Sequence, residues 1–360
     1  MDGLLPVTLP PGEYLWYTIS YPIHSARPLG VRTMEQPMKH RVLEILEQSR
    51  DGDISGSKIA AQLGITRAAV WKAIRALEKE GHRIEAVPRR GYRLLPDSDV
   101  LSAEAIGLHL ATRTLGRGLV VLPSVDSTNT YLKNLALRGA KEGTTVVADC
   151  QTGGRGRLGR TFVSPAGCGI YMSVLFRPKG SPDQSALITA CGAVAVARAV
   201  EEVTGVSPQI KWVNDLMVEG KKICGILTEA AMELESGGLD YLIVGIGINV
   251  RRLPEEFPQP VRQVAGAIDS FAARPFSRSQ LAAAVLNHLE EEAGRMDTGA
   301  YLEEYRARSC VLGRPVTVAG DPAGKVWQAV EIDDQARLVV EDETGARQVL
   351  NSREISVRTL

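Results

Sequence analysis

The sequence is poor in the features that place a protein by composition alone. It has five cysteines in 360 residues, Cys150, Cys168, Cys191, Cys224 and Cys310, and no C-x-x-C pair among them. That excludes a zinc ribbon or a disulfide framework and fits small buried thiols in a reducing cytoplasm. No apolar run reaches the ~20 residues that span a bilayer. Lys plus Arg and Asp plus Glu both total 42, so any contact with nucleic acid must come from local charge. Nor does the start of the sequence read as a secretory leader. Asp2 stands where a basic n-region would be, and Pro6, Pro10, Pro11, Pro22, Pro28 and Pro37 interrupt the apolar residues of Met1–Pro37. That segment reads as a disordered extension, or as residues ahead of a start at Met34 or Met38. There is no internal repeat and no low-complexity tract. A chain of this length suggests two or three domains with a substantial core.

The most informative stretch present is Gln151–Arg160, Gln-Thr-Gly-Gly-Arg-Gly-Arg-Leu-Gly-Arg, directly after the apolar run Thr144–Ala148. Glycines let backbone N–H groups approach a ligand, and guanidinium forks match phosphate or carboxylate oxygens. The loop therefore reads as an anion-binding segment, with a solvated basic turn as the plainer alternative. Gly154 to Gly159 also fits G-x-G-x-x-G, which signals a dinucleotide only between a strand and a helix. Pro165, Gly167 and Gly169 break any helix that would follow, so the dinucleotide reading is rejected. A P-loop fails because no Gly-Lys-Ser/Thr closes the motif.

Three parts can be read along the chain. In residues 38–97, Val42, Leu43, Ile45 and Leu46 give a helical stripe, and a second helix ends at Gly64. Thr66 caps a third helix over Arg67–Glu80, followed by a hairpin around Arg89-Arg90-Gly91. These are the parts of a winged helix-turn-helix. Arg67, Ala68, Trp71, Lys72 and Arg75 form the outward face of the third helix, suited to base edges and phosphates. Arg89, Arg90 and Arg93 on the hairpin suit backbone phosphates. A three-helix scaffold with a solvated basic face is the alternative. Residues 98–310 alternate apolar strands (Val120–Leu122, Thr144–Ala148, Ile170–Phe176, Ile210–Trp212, Gly225–Ala230, Tyr241–Val250) with helices over Asn129–Arg138, Ser185–Val203, Ser277–Met296 and Gly299–Arg308. The mix predicts one domain, α+β or α/β. Residues 311–360 carry short alternating segments separated by turns, which predicts a small all-β unit.

Three further motifs fall in the central part. Ser127-Thr128-Asn129 precedes a helix and has capping as its simplest explanation. Lys211-Trp212-Val213-Asn214-Asp215 ends an apolar segment, and Lys222 opens the next; a hairpin with a polar turn at Glu219-Gly220-Lys221 explains both locally. Gly245-Ile-Gly247-Ile-Asn249 ends a strand with two glycines, where a flat ligand or a tight strand crossing would fit. Together and in this order, with Gly154-Arg-Gly-Arg-Leu-Gly-Arg160 and Lys222-x-x-Gly225-Ile-Leu, these motifs resemble the biotin–protein ligase family in its bifunctional ligase/repressor form. Gly64-Ile-Thr-Arg-Ala-Ala69 extends the resemblance into the helix-turn-helix. It covers the chain from about Met38 to the end. Phe162 stands where the family often has tryptophan, and Val213 where it usually has proline.

The resemblance implies an α+β multidomain chain: a winged helix-turn-helix, a catalytic domain like class II aminoacyl-tRNA synthetases, and an SH3-like β-barrel. It implies a biotin–[acetyl-CoA-carboxylase] ligase that makes biotinyl-5′-AMP from biotin and MgATP. Biotin then passes to a lysine of biotin carboxyl carrier protein. It further implies a cytoplasmic, adenylate-dependent repressor that binds operator DNA as a homodimer. Arg157 and Lys222 would stabilise charge on the α-phosphate, with Arg155 and Arg160 holding phosphates. Ser127, Thr128, Asn129, Gln151, Arg155, Gly156, Arg157 and Lys222 would surround biotin. Arg157, Arg160, Phe162, Asn214, Asp215, Lys222 and Asn249 would face the adenylate. Asp215 would either orient or deprotonate the incoming lysine, or engage Mg²⁺. Other readings are a biotin-sensing transcription factor without ligase activity, a lipoate–protein ligase, and a ligase with a vestigial DNA-binding domain.

Overall fold

The computed structural model describes residues 37–359 apart from 51, 96–97, 179–183, 233–237, 256, 258, 319–323 and 352–356. The extension read over Met1–Pro37 lies outside the described residues but for Pro37.

Three helices come first: α1 (Met38–Gln48), α2 (Gly56–Leu63) and α3 (Arg67–Lys79). Their apolar stripes meet in one small core, where Val42, Leu43, Leu46, Ile59, Val70, Ile74 and Leu77 are buried together. Gly64 ends α2 in the left-handed region at φ +66°, where a side chain would be strained. Thr66 Oγ1 accepts the N–H of Ala69 at 3.2 Å and so starts α3. The hairpin that follows pairs β1 (Ile84–Val87) with β2 (Gly91–Leu94), antiparallel.

The segment after β2 is tied down rather than loose. Asp99 accepts from Arg278 N at 2.8 Å, from Arg278 Nε at 3.1 Å and from Arg251 Nη2 at 3.0 Å. A short helix, α4 (Ala103–Gly107), which the sequence did not announce, is capped by Ser102.

The central layer holds β3 (Leu119–Leu122), helix α5 (Thr128–Leu137), β4 (Thr145–Ala148), β5 (Gly169–Phe176), helix α6 (Gln184–Thr204), β6 (Gln209–Lys211), β7 (Asp215–Val218), β8 (Lys221–Met232) and β9 (Leu239–Asn249). The seven strands form one sheet in the order β3-β4-β5-β9-β8-β7-β6. Only β3 and β4 run parallel, so the sheet is mixed. Side-chain alternation sorts the two faces. Val146, Leu175 and Ile243 pack with Leu132 of α5, whereas Val147, Val174 and Val244 join the main core with α6. The alanine-rich α6 is buried through most of its length, between the sheet and α8 (Arg278–Gly294). A short α7 (Gln259–Val264) precedes α8, and α9 (Ala300–Ala307) follows it.

Strand β7 is the main departure from the sequence reading, which ended an apolar segment at Asp215 instead of starting a strand there. Glu219 and Gly220, both at positive φ, close a two-residue turn into β8. The hairpin explanation of Lys211–Leu227 therefore holds; its register pairs Asp215 with Gly225 and Met217 with Lys222, and the Lys222 side chain reaches back to Asp215.

The last five strands, β10 (Pro315–Val318), β11 (Val326–Ile332), β12 (Leu338–Glu341), β13 (Arg347–Leu350) and β14 (Val357–Thr359), form a small antiparallel sheet in the order β13-β12-β11-β10-β14. Its core is continuous with the central one. Trp212 Nε1 donates to Ala336 O at 3.0 Å, and Tyr305 OH donates to Val213 O at 2.8 Å. The small sheet and α9 thus brace the turn between β6 and β7 from below. All five cysteines are free thiols, and no described helix is long and apolar enough to cross a membrane.

Candidate active site

A cavity of about 430 Å³ opens on the sheet between the 153–162 loop, the start of α5 and the β7–β8 hairpin. That volume lies in the range of small-molecule sites, roughly 300–1,000 Å³. Ser127, Thr128, Asn129, Gln151, Arg155, Gly156, Arg157, Arg160, Phe162, Asn214, Asp215 and Lys222 all line it. Asn249 does not. Its Nδ2 donates to Lys222 O at 3.1 Å, so it holds the backbone of the lysine rather than facing the cavity.

The inner end is a polar network built on one glutamine. Gln151 Oε1 accepts from Thr128 N at 2.9 Å and from Thr128 Oγ1 at 3.1 Å, while its Nε2 donates to Ser164 Oγ at 3.0 Å. Ser127 sits at the N-cap of α5 yet makes no capping bond, so capping does not account for Ser127-Thr128-Asn129. Ser173 Oγ donates to Asn129 Oδ1 at 2.6 Å, and Asn129 Nδ2 donates to Glu229 Oε2 at 2.6 Å. Ser164, Ser173 and Glu229 escaped the sequence reading. They sit in ordinary strand or loop positions, and only the sheet register brings them here.

The paired glycines of β9 also find a different use from the one expected. A Cβ at Gly245 would lie 2.3 Å from Asn129 Oδ1, and one at Gly247 would lie 2.6 Å from Phe162 Cε1. The bare backbone makes room for these two side chains of the protein itself. Phe162 lies over the strands, with its ring edge toward Tyr171.

The outer end is electropositive. Arg155, Arg157, Arg160, Lys211 and Lys222 line it, and Asp215 is the one carboxylate among its described lining residues. Lys222 Nζ lies 2.6 Å from Asp215 Oδ1. Arg157 Nη1 donates to Asn214 Oδ1 at 3.1 Å, and Asn214 Nδ2 donates to Ile226 O at 2.7 Å. Burial pulls the Arg157 pKa below the usual guanidinium value, against the opposing pull of Asp215. Arg155 turns aside to Glu229 Oε2 at 3.0 Å. Beyond this loop no helix starts before α6 among the described residues, which supports rejection of the dinucleotide reading. No grouping of three or more His, Cys, Asp or Glu able to hold a metal occurs among the described residues.

On α3, Arg67, Ala68, Trp71, Lys72 and Arg75 are all exposed. Arg75 lies 5.6 Å from the Trp71 ring centroid and pairs with Glu78 at 2.9 Å. On the hairpin, Arg89 is exposed at φ +63°. Asp53, which the sequence reading passed over, pairs with Arg90 at 2.5 Å and Arg93 at 2.6 Å. The hydrogen bond from Arg93 leads in holding the Asp53 carboxyl below its usual range. Arg90 therefore meets a phosphate only by sharing itself with Asp53.

Comparison with known proteins agrees with this geometry. The biotin/lipoate A/B protein ligase family matches residues 121–249, and a helix-turn-helix (HTH) domain matches residues 39–93. The bifunctional ligase/repressor BirA of Bacillus subtilis is 35% identical over 325 residues, covering 89% of this chain and 98% of the relative. Its namesake in Escherichia coli is 29% identical, covering 85% and 93%. The biotin protein ligase of Aquifex aeolicus, solved in complex with biotin and ATP, superposes with a TM-score of 0.58 at 30% identity. It covers 68% of this chain and 100% of that one. With a ligase-type cavity, a helix-turn-helix and a relative matched over nearly its whole length, the chain belongs to the biotin–protein ligase family, in its bifunctional ligase/repressor branch.

Proposed function

We propose that this chain is an ATP-dependent biotin–protein ligase and a biotinyl-5′-AMP-dependent repressor of biotin genes, acting in the cytoplasm. One observation carries the ligase reading. A single cavity joins a neutral polar end, able to pair with a urea, to a cationic end with one carboxylate. A buried urea needs such partners, since each unpaired polar group costs about 1–3 kcal/mol.

In the first step the biotin carboxylate attacks the α-phosphorus of ATP and pyrophosphate leaves. Arg157 and Lys222 offset the charge that builds on the α-phosphate, with Arg160 and, once it leaves Glu229, Arg155 on the outer phosphates. In the second step a carrier lysine attacks the acyl carbon and AMP leaves. The amine must be neutral to attack, and Asp215 is the described carboxylate placed to orient it and receive its proton. A single lining carboxylate fits a Mg²⁺ held chiefly by phosphate oxygens, and the ion would supply charge neutralisation there. Phe162, against Gly247, takes the stacking role toward adenine. Residues 38–97 serve as the DNA-binding domain, 98–310 as the catalytic domain and 311–360 as an SH3-like domain. The adenylate-bound form dimerises to place two recognition helices on a palindromic operator.

Incubation with biotin, ATP and a carrier domain tests the ligase reading. The carrier should gain the mass of one biotinyl group; an unchanged mass sinks it. A monofunctional ligase has one observation in its favour, the pairing of Arg75, Arg90 and Arg93 with carboxylates on the DNA-facing side. Operator footprinting with and without biotin and ATP separates the two.

A further inference from the structure

A second cavity, of about 280 Å³, shares no lining residue with the first. Lys221 and Lys222 are adjacent on β8, where side chains alternate between faces. Lys222 lines the ligase cavity and Lys221 lines this one. Arg251 and Arg252, just past β9, and Arg262 of α7 complete a ring of four cations, with Ser270 and Phe271 across from them. None of the lining residues is acidic.

What these cations already bind decides the matter. Arg251 is paired with Asp99 at 3.0 Å, so its charge is largely answered. Among the described residues the other three meet only neutral acceptors. Arg252 Nε donates to Ser270 Oγ at 2.9 Å, and Arg262 Nε donates to Phe257 O at 2.9 Å. Lys221 Nζ donates to Gln263 O. Each arginine thus anchors its Nε on the protein and leaves its terminal nitrogens for something else, a geometry suited to bidentate contact with phosphate oxygens.

We infer that this second cavity binds a small phosphate-rich anion of diphosphate size. Two forks and an ammonium facing one concave space exceed the need of a single phosphate group. A pocket this small does not admit a nucleic-acid backbone along its length. The inference goes beyond the ligase reading, and because pyrophosphate is also the leaving group of that reaction, variants of each cavity tell the two sites apart.

The test is calorimetric titration of the full chain with inorganic pyrophosphate, and with inorganic phosphate for comparison. Pyrophosphate should bind at a site that survives loss of Arg157, and there more tightly than phosphate. The double variant Arg252→Gln/Arg262→Gln should weaken it by at least about tenfold, ~1.4 kcal/mol. Arg157→Ala, in the first cavity, should leave that affinity unchanged. Circular dichroism of the double variant should match the parent, and if it does not, Arg252→Lys/Arg262→Lys gives the same comparison with charge kept and the fork lost. Affinity that follows Arg157 rather than Arg252 and Arg262 overturns the inference. So does equal affinity for phosphate and pyrophosphate, or no saturable binding at millimolar concentration.

Discussion

Arg157 lines the cavity half-buried, bonded to Asn214 and close enough to Asp215 to feel its charge. A guanidinium held in partial desolvation stabilises developing charge better than one in water. Arg157→Ala is expected to slow adenylate formation by about 10²–10³-fold, the range for removal of one such donor. It should also raise the escape of free adenylate more than it harms carrier recognition. Parallel assays of adenylate release and carrier labelling check this, and unchanged release would refute it. Gly247→Ala probes the other end of the cation surface. Its Cβ would collide with Phe162, so the ring must leave its place over β9. Weaker ATP binding with biotin affinity retained is the expected outcome, measured by separate titrations. At this scale the sequence was legible wherever residue type alone dictates chemistry. The arginines of the loop, Asp215 and Lys222 are such cases. Ser173 and Glu229 were not legible, because a serine or glutamate in a strand carries no mark of the neighbour that the register will give it.

Local signals predicted the elements well. Gly64, Thr66 and the Glu219–Gly220 turn each act within a few residues, and the helix and hairpin ends fall where they direct. Asn249 was misjudged for the opposite reason: its partner, the Lys222 carbonyl, lies on the neighbouring strand. The wing offers an element-scale prediction. Gly91 has φ +119°, and a Cβ there would lie 2.1 Å from Ile54 O and 2.5 Å from Ser55 Cα. Gly91→Ala must therefore break the mutual bonds of Ile54 and Tyr92 that dock the hairpin on the helices. Operator affinity should fall by about tenfold or more, ~1.4 kcal/mol. Carrier biotinylation should stay close to the parent rate. Gel shift and carrier labelling on one preparation decide it, and a parallel loss of both would contradict the separation of the two activities.

Across the whole molecule, packing between helices and loops depends on carboxylates that must stay ionised. Burial alone would raise the Glu290 pKa, but the N–H groups of Arg113, Leu115 and Thr114 outweigh it and lower it below the ordinary 4.5. Burial acts the same way on Glu304, where Arg198 and Arg308 reverse the direction. Groups depressed in the folded state stabilise it above their unfolded pKa. That stability is lost as pH falls through the folded value. Thermal unfolding should therefore shift to lower temperature on acidification below about pH 4.5, the ordinary carboxyl range. Glu290→Gln should flatten part of that slope, and melting curves from pH 3 to pH 6 measure it. An unchanged slope would show that the loop before β3 does not rely on this carboxylate. None of this was legible in a neutral composition, because the loop and α8 that it joins lie far apart in sequence.

The bonds of Asp99 bear on how such a chain can be re-engineered. Asp99 comes five residues after the last strand of the wing, yet its carboxylate is shared between Arg251 and Arg278 of the catalytic part. The joint between reader and enzyme is thus not a neutral tether that can be cut anywhere. A chimaera that exchanges the DNA-reading module for another should be spliced before residue 98. A splice after Asp99 would take from Arg251 and Arg278 the carboxylate they share, leaving Arg278 to Asp149 and Arg251 to Asp269 at 4.0 Å, and would loosen the strand end and the helix start that they hold.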